Sequence, residues 1–145
     1  MRELGEFSQN ELADGIHEQL TFASFAPVTF LSALTKRRLG SLMPVVNHVW
    51  ENLDRRVPTP QLNSVIRDAV LAHPAAAIGG KLFKVYYGTQ PATHPPIFVF
   101  SCNDPELLQA HYKRFLENVI RQHFDFEGVP LTLDFRPRRE SEAPQ

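Results

Sequence analysis

Residues 97–106, IFVFSCNDPE, join a strand to a helix and decide the fold class of this chain. The stretch 97–102 is apolar or small on both faces of an extended backbone, which is typical of a strand covered on both sides. Asn103 and Asp104 then offer side-chain caps, and Pro105 suits the first helical position, where a missing N–H costs nothing. The segment therefore predicts a central strand over 97–102 and a helix over about 105–123.

Two further strands are predicted on either side of this segment. Residues 81–89 are rich in Val, Tyr and Phe, and we expect Phe83, Val85 and Tyr87 to share one face of a strand. Residues 131–136 alternate apolar with polar or charged side chains, which predicts a half-exposed strand.

A helix precedes the first of these strands. Thr59 is expected to cap it, Pro60 fits its first position, and His73-Pro74 ends it. The order over residues 57–139 is therefore helix, strand, strand, helix, strand. That order predicts an α+β domain whose helices pack on a three-stranded sheet.

The N-terminal part of the chain has a different pattern. The capping box Ser8-Gln9-Asn10-Glu11 predicts a helix over about 9–20, and the apolar run 28–31 predicts a buried strand. Apolar residues at steps of three and four predict a second helix from Ser41 to about residue 53. The stretch RRVPTP at 55–60 then marks a boundary. We therefore expect one unit over 1–56, a second over 57–139, and a disordered tail over 140–145.

Composition excludes several classes of protein. The 145 residues hold 15 Lys and Arg against 16 Asp and Glu, so the chain is not a strongly basic nucleic-acid-binding protein. A single cysteine, Cys102, excludes an internal disulfide framework and a multi-cysteine zinc site. The N-terminus lacks the apolar core of a secretory signal, and the apolar runs are too short to span a bilayer. We expect a soluble, cytoplasmic protein.

Motifs of catalysis and metal binding are missing from the sequence. Gly80-Lys81 comes closest to a phosphate loop, but Ala75 stands where its first glycine belongs. No two of the histidines are four residues apart, and Asp125 and Glu127, which could be posed as an acid/base pair, flank a glycine turn and are expected to be solvated. The sequence predicts no catalytic residue, no metal site and no enzymatic activity of this chain alone.

Several ordered motifs together closely resemble one known family. They are KVYYGTQ at 84–90, PPIFVF at 95–100, NDPELL at 103–108, YKRFLEN at 112–118 and FEGVPL at 126–131. These stretches resemble the C-terminal KH-like domain of the Der (EngA) family, the bacterial tandem GTPases of ribosome assembly. Upstream, residues 26–35 and 51–57 are similar to the end of that family's second G domain. The resemblance implies a KH-like domain with a mixed sheet over 57–139, preceded over 1–56 by an incomplete α/β remnant of a G domain.

The resemblance also assigns a role to one turn of the N-terminal unit. Ser32, Ala33 and Leu34 match the fifth GTPase motif, in which the backbone amide of the alanine would contact guanine in a complete G domain. The phosphate loop, the switch segments and the N-K-x-D motif have no counterpart here. GTP is therefore implied for the full-length family, and no cofactor is expected on this chain.

RNA contact, if the family likeness extends to it, has to rest on side chains. KH domains clamp nucleic-acid backbones with a GXXG loop, and no two glycines of this chain are three residues apart. We predict a basic row of Arg114 and Arg121 on the helix 105–123, because residues seven apart lie on one helical face. The full set of candidates is Lys81, Lys84, Lys113, Arg114, Arg121, Arg136, Arg138 and Arg139.

Two functions remain open at this point. In the first, the KH-like domain docks to the large ribosomal subunit, its rRNA and the upstream G domains of the same GTPase. In the second, it is a protein-only interaction module that packs on a G domain and never contacts RNA, which the missing GXXG loop favours. Neither function involves a membrane or DNA.

Overall fold

The computed structural model describes residues 8–139, so the tail predicted over 140–145 lies outside the described residues. Short 3-10 turns at 21–23, 39–41 and 105–107 connect the longer elements. The helices and strands of the described residues are α1 Gln9–Gln19, α2 Leu42–Leu53, α3 Thr59–Ala72, β1 Val85–Ala92, β2 Ile97–Cys102, α4 Ala110–His123 and β3 Thr132–Pro137.

The sheet has the order β1-β2-β3 and is mixed. β1 is antiparallel to β2, with Val85 opposite Cys102, and β2 is parallel to β3, with Cys102 opposite Pro137. As its apolar composition predicts, β2 is the central strand, and Phe98, Phe100 and Cys102 on it are fully buried. The fold class expected from the sequence is therefore confirmed.

Helices α3 and α4 cover one face of the sheet. Leu62 and Ile66 of α3 meet Leu116 and Ile120 of α4 above the buried side chains of β2. Every buried member of this core among the described residues lies at or beyond Val57. The hydrophobic core is thus contained within the second predicted unit.

The first strand differs from its sequence prediction. It begins at Val85 and ends at Ala92, and its register shifts between Val85 and Tyr87. A β-bulge places an extra residue in one strand and turns the side chains that follow it to the other face. Tyr87 is consequently exposed while Phe83 is buried, so the expectation that the two share a face with Val85 is wrong.

Two helix starts also differ from the prediction. Asp104 caps only the short turn Pro105–Leu107, with its Oδ1 3.0 Å from the Glu106 N–H, and α4 begins at Ala110. Leu108 is extended, which interrupts the single helix expected over 105–123. Thr59 is the first residue of α3 and makes no capping hydrogen bond.

In the N-terminal unit the capping box is confirmed and the strand is not. Ser8 Oγ accepts from the Glu11 N–H, and the Glu11 carboxylate accepts from the Ser8 N–H at 2.8 Å. Residues 28–31 have no strand partner, since the described sheet consists of β1, β2 and β3. An apolar run forms a strand only where another strand can satisfy its backbone.

Residues 55–57, the first half of the boundary predicted at 55–60, are bonded to the second unit. The buried Gln90 of β1 accepts from the Val57 N–H at 2.7 Å and donates to the Arg55 carbonyl at 2.8 Å. Arg56 adds a bond from its Nη1 to the Gln90 carbonyl. The chain between α2 and α3 is thus fixed along the edge strand by the side chains of Gln90 and Arg56.

A second contact joins the N-terminal unit to the turn after α4. The Gly128 N–H donates to the Phe25 carbonyl at 2.8 Å. Gly128 has φ +81°, and a Cβ on it would lie 2.3 Å from Val49 Cγ2. Only glycine allows both this backbone conformation and this close approach.

A fragment of residues 57–139 is expected to fold cooperatively on its own, because the buried core lies within it. Its free energy of unfolding should fall by about 3–4 kcal/mol relative to the full chain, since the contacts made by residues 8–56, those of Asn52 included, are lost. Thermal melting of both chains measures this. Non-cooperative melting of the fragment would refute the boundary, and a fragment of residues 1–56 serves as the control expected to show no transition.

Candidate nucleic-acid interface

The register of the sheet gathers basic residues at one of its ends. β1 begins where β2 and β3 end, so the residues just before Val85 lie beside those just after Cys102 and Pro137. We call this surface the basic sheet end. Its members are Lys81, Lys84, Arg136, Arg138 and Arg139.

The backbone of the basic sheet end is fixed by Asn103. Its Oδ1 accepts from the Lys84 N–H at 2.8 Å, its Nδ2 donates to the Leu82 carbonyl at 2.7 Å, and its own N–H donates to the Lys84 carbonyl. Lys81, Lys84 and Asn103 line one shallow groove together with Asp104. Lys84 is therefore placed by its bonds with Asn103, and the backbone of Lys81 by its bonds with Ile78, although the segment that carries both precedes the strand.

Two tyrosines lie among these cations. The Arg138 guanidinium stands 4.9 Å from the centre of the Tyr86 ring, and the Arg138 N–H donates to the Cys102 carbonyl. Tyr87 lines a second groove that also includes Arg136 and Arg139. Tyr86 is 46% and Tyr87 53% exposed, because the bulge in β1 leaves both neighbouring rings at the surface.

Proteins bind single-stranded RNA by stacking its bases on exposed aromatic rings and by contacting its phosphates with cations. This surface offers both kinds of group. Sequence reasoning identified the cations but missed the tyrosines as part of the surface. Strict alternation would have buried one of each neighbouring pair of side chains, and nothing in the sequence marks the bulge.

Helix α4 carries the other three cations and does not present them alike. Lys113 and Arg114 are exposed. The Arg121 side chain is only 18% exposed, and it bonds the Glu117 carboxylate and the carbonyls of Phe126 and Val129. It also lies over the Phe25 ring at 5.2 Å.

Four of the five N–H groups of the Arg121 guanidinium are engaged in these bonds within the chain. Arg121 thus holds the turn after α4 in place. Its predicted contact with RNA stays a prediction, as does the basic row with Arg114.

The turn at Ser32, Ala33 and Leu34 is a surface loop. The Ser32 Oγ accepts from the Thr35 N–H at 3.2 Å, and the Ser32 N–H donates to the Arg37 carbonyl at 3.0 Å. Leu34 is 94% exposed. The guanine contact implied for this turn stays a prediction.

Two buried groups next to the sheet have shifted acidities. Burial, with a smaller effect from the Asp104 carboxylate, raises the pKa of the Cys102 thiol. Burial also raises the pKa of Tyr112, whose hydroxyl donates to the His73 carbonyl at 2.9 Å. Both groups therefore stay protonated at neutral pH, and Cys102 is buried among the core side chains.

Among residues 8–139, no helix has the length and apolarity to cross a bilayer.

The chain is similar in sequence to part of a family of bacterial GTPases. The sequence profile of a family described as KH-domain-like of EngA bacterial GTPase enzymes, C-terminal, matches residues 56–136. GTPase Der of Caldanaerobacter subterraneus subsp. tengcongensis is 45% identical over 130 residues, and GTPase Der of Listeria monocytogenes serotype 4a is 47% identical over 130 residues. GTPase Der of Thermoanaerobacter sp. strain X514 is 43% identical over 132 residues. Each alignment covers 90% or 91% of this chain and 30% of the relative's length.

Proposed function

This chain belongs to the family of C-terminal KH-like domains of the bacterial EngA (Der) GTPases, and we propose that it docks such a GTPase onto RNA of the large ribosomal subunit in the cytoplasm. In this proposal GTP is bound by G domains and not by the chain described here. The KH-like sheet supplies the RNA contact, and α2 supplies the contact with the G domains.

The observation that carries the RNA contact is the basic sheet end with its two exposed tyrosines. Lys84 and Arg139 are exposed there, and Tyr86 and Tyr87 add ring faces for stacking. The carboxylate of Asp104 in the same groove and the net charge of -1 limit the electrostatic attraction. In this proposal the RNA contact is confined to the basic sheet end, and its affinity falls with rising salt concentration, as that of phosphate contacts does.

The contact with G domains is supported by the outer face of α2. An apolar stripe at helical spacing is exposed there: Met43 by 57%, Val46 by 47% and Trp50 by 61%. Contiguous exposed apolar side chains mark surfaces that bind other proteins. The alignment with the GTPases extends over 130 residues and so includes the region of α2, beyond the KH-like profile at 56–136. We assign this apolar stripe to packing on a G domain of the GTPase.

The double variant Lys84→Glu with Arg139→Glu tests the RNA contact. It leaves the Arg138–Tyr86 contact and the Arg136–Asp134 ion pair intact. In co-sedimentation with purified large ribosomal subunits, we expect the affinity to fall about tenfold at low salt. The slope of log affinity against log salt concentration should decrease by the amount that about two phosphate contacts contribute.

The matched control is Arg37→Glu with Arg67→Glu, which makes the same charge change at exposed positions outside the basic sheet end. If both double variants lose binding equally, the effect is one of net charge and the assigned surface is wrong. If neither loses binding at low salt, the protein-only function replaces this proposal.

A further inference from the structure

Three metal-ligand side chains from distant parts of the sequence meet beside α2. His48 Nε2 lies 2.9 Å from Asp125 Oδ2 and 3.6 Å from Glu127 Oε2. One ligand atom from each residue falls within 4.8 Å of the other two. His48 is on α2, while Asp125 and Glu127 belong to the turn after α4.

The buried Asn52 limits the number of protons available to this cluster. Its Oδ1 accepts from Arg55 Nε and Nη2 at 3.2 and 2.9 Å, which fixes the orientation of the amide. Its Nδ2 therefore faces the cluster and is 3.1 Å from Asp125 Oδ1 and 3.0 Å from the Glu127 carbonyl. Those two acceptors use both amide protons, and the longer 3.4 Å approach to His48 Nε2 receives none.

The remaining groups are rich in lone pairs and negative charge. Two carboxylates face one imidazole nitrogen, and no lysine or arginine of residues 8–139 forms an ion pair with either carboxylate. A divalent cation would supply the balancing positive charge.

The turn that carries the carboxylates is positioned by contacts outside the cluster. Arg121 donates to the carbonyls of Phe126 and Val129, and the Gly128 N–H donates to the Phe25 carbonyl. Asp125 Oδ1 also accepts from the Glu127 N–H at 3.2 Å. The backbone of the turn is therefore fixed by bonds that need no ion, which lowers the cost of binding one.

We propose that His48, Asp125 and Glu127 form a binding site for a divalent transition-metal cation of the zinc class. One imidazole nitrogen and two carboxylate oxygens are a ligand set that Zn²⁺ accepts, with ligand bonds of about 2.0–2.2 Å. Tetrahedral ligands at that distance are about 3.4 Å apart, close to the separations of 2.9 and 3.6 Å found here. Water completes the coordination, since all three side chains are partly exposed.

The bound cation cross-links the N-terminal unit to the KH-like domain. Its ligands come from α2 on one side and from the turn after α4 on the other. The expectation of no metal site rested on histidine spacing, and this site uses one histidine and two acids that only the fold brings together. Mg²⁺ is disfavoured because it prefers six oxygen ligands in octahedral geometry.

Thermal melting of the full chain with ZnCl₂ tests the site. At a free Zn²⁺ concentration ten times the Kd, we expect the Tm to rise by about 4 °C, and EDTA should reverse the rise. MgCl₂ at the same concentration should leave the Tm unchanged. The variants His48→Gln and Glu127→Gln should each lose most of the Zn²⁺ effect, whereas His111→Gln, which alters an exposed histidine outside the cluster, should keep it.

Glu127→Gln keeps the His48–Asp125 pair and so decides the matter even where His48→Gln lowers the stability of the metal-free protein. A spectroscopic titration with Co²⁺ gives a second readout: absorption bands of the wild-type protein should be lost in both ligand variants. The proposal is overturned if Zn²⁺ does not raise the wild-type Tm, or if the ligand variants respond as His111→Gln does.

Discussion

Replacing Phe100 by alanine should lower the free energy of unfolding by about 3–5 kcal/mol, the largest effect we expect from one substitution in this chain. Phe100 is fully buried in the central strand and stacks on Phe135 with ring centres 5.1 Å apart. Alanine leaves a cavity that the sheet and the helices around it cannot fill. Chemical denaturation monitored by circular dichroism measures the change.

The partner substitution Gly88→Ala tests the same contact from the other side. A Cβ on Gly88 would lie 2.3 Å from Phe100 Cε1 and 2.4 Å from its Cδ1, so the ring would have to move within a packed core. We expect a loss of about 1–3 kcal/mol. Gly15→Ala is the control, because a Cβ there meets no atom within 4 Å and alanine favours helix α1.

The two substitutions should not be additive. In the double variant the new methyl group of residue 88 occupies space that Phe100 has left, so the clash disappears. The double variant should therefore be less destabilised than the sum of the single variants, by about 1 kcal/mol or more. Strict additivity would mean that the Phe100 ring is not what excludes a side chain at position 88.

Asn52→Ala should cost about 2–3 kcal/mol, although the residue replaced is polar and lies in the N-terminal unit. Asn52 is fully buried, and its amide joins Arg55 to Asp125 and to the Glu127 carbonyl. Alanine removes the hydrogen-bond partner of each of these groups and leaves a cavity at a fully buried position. Thermal and chemical denaturation of the full chain measure the loss.

Asn47→Ala provides the comparison for Asn52, because Asn47 is exposed on the same helix. It should change the free energy of unfolding by less than about 0.5 kcal/mol. Equal effects at the two positions would show that the contact between α2 and the turn after α4 contributes nothing to stability.

Local patterns predicted the fold of this chain well. The strand 97–102 was predicted with its observed bounds. Its end could be located from adjacent residues alone, because the apolar run stops at the capping sequence Asn-Asp-Pro. The helices α1, α2 and α3 were predicted to within about two residues for the same reason. The strand expected at 28–31 failed because strand formation needs a partner elsewhere in the chain, which a local pattern cannot supply.

The candidate sites depended more on distant contacts and were predicted less completely. The cations of the basic sheet end were identified individually, but their grouping follows from the register of the sheet and the tyrosines from a bulge. Arg121 was expected as a free cation, whereas its acceptors at residues 126 and 129 belong to a turn whose path depends on Phe25. His48 and Asp125 meet only because α2 packs against that turn.

The bonding of Gln90 has a mechanical consequence. The side-chain amide of Gln90 forms hydrogen bonds with Arg55 and Val57, the two neighbours of Arg56, and Gln90 itself lies in β1. The connection between α2 and the KH-like domain is therefore bonded to the sheet and is not a free linker. A torque applied to α2 would be transmitted through Gln90 as shear on β1, and β1 begins next to Lys84 and Tyr86. A partner bound to α2 would therefore act on the same strand that leads to the basic sheet end.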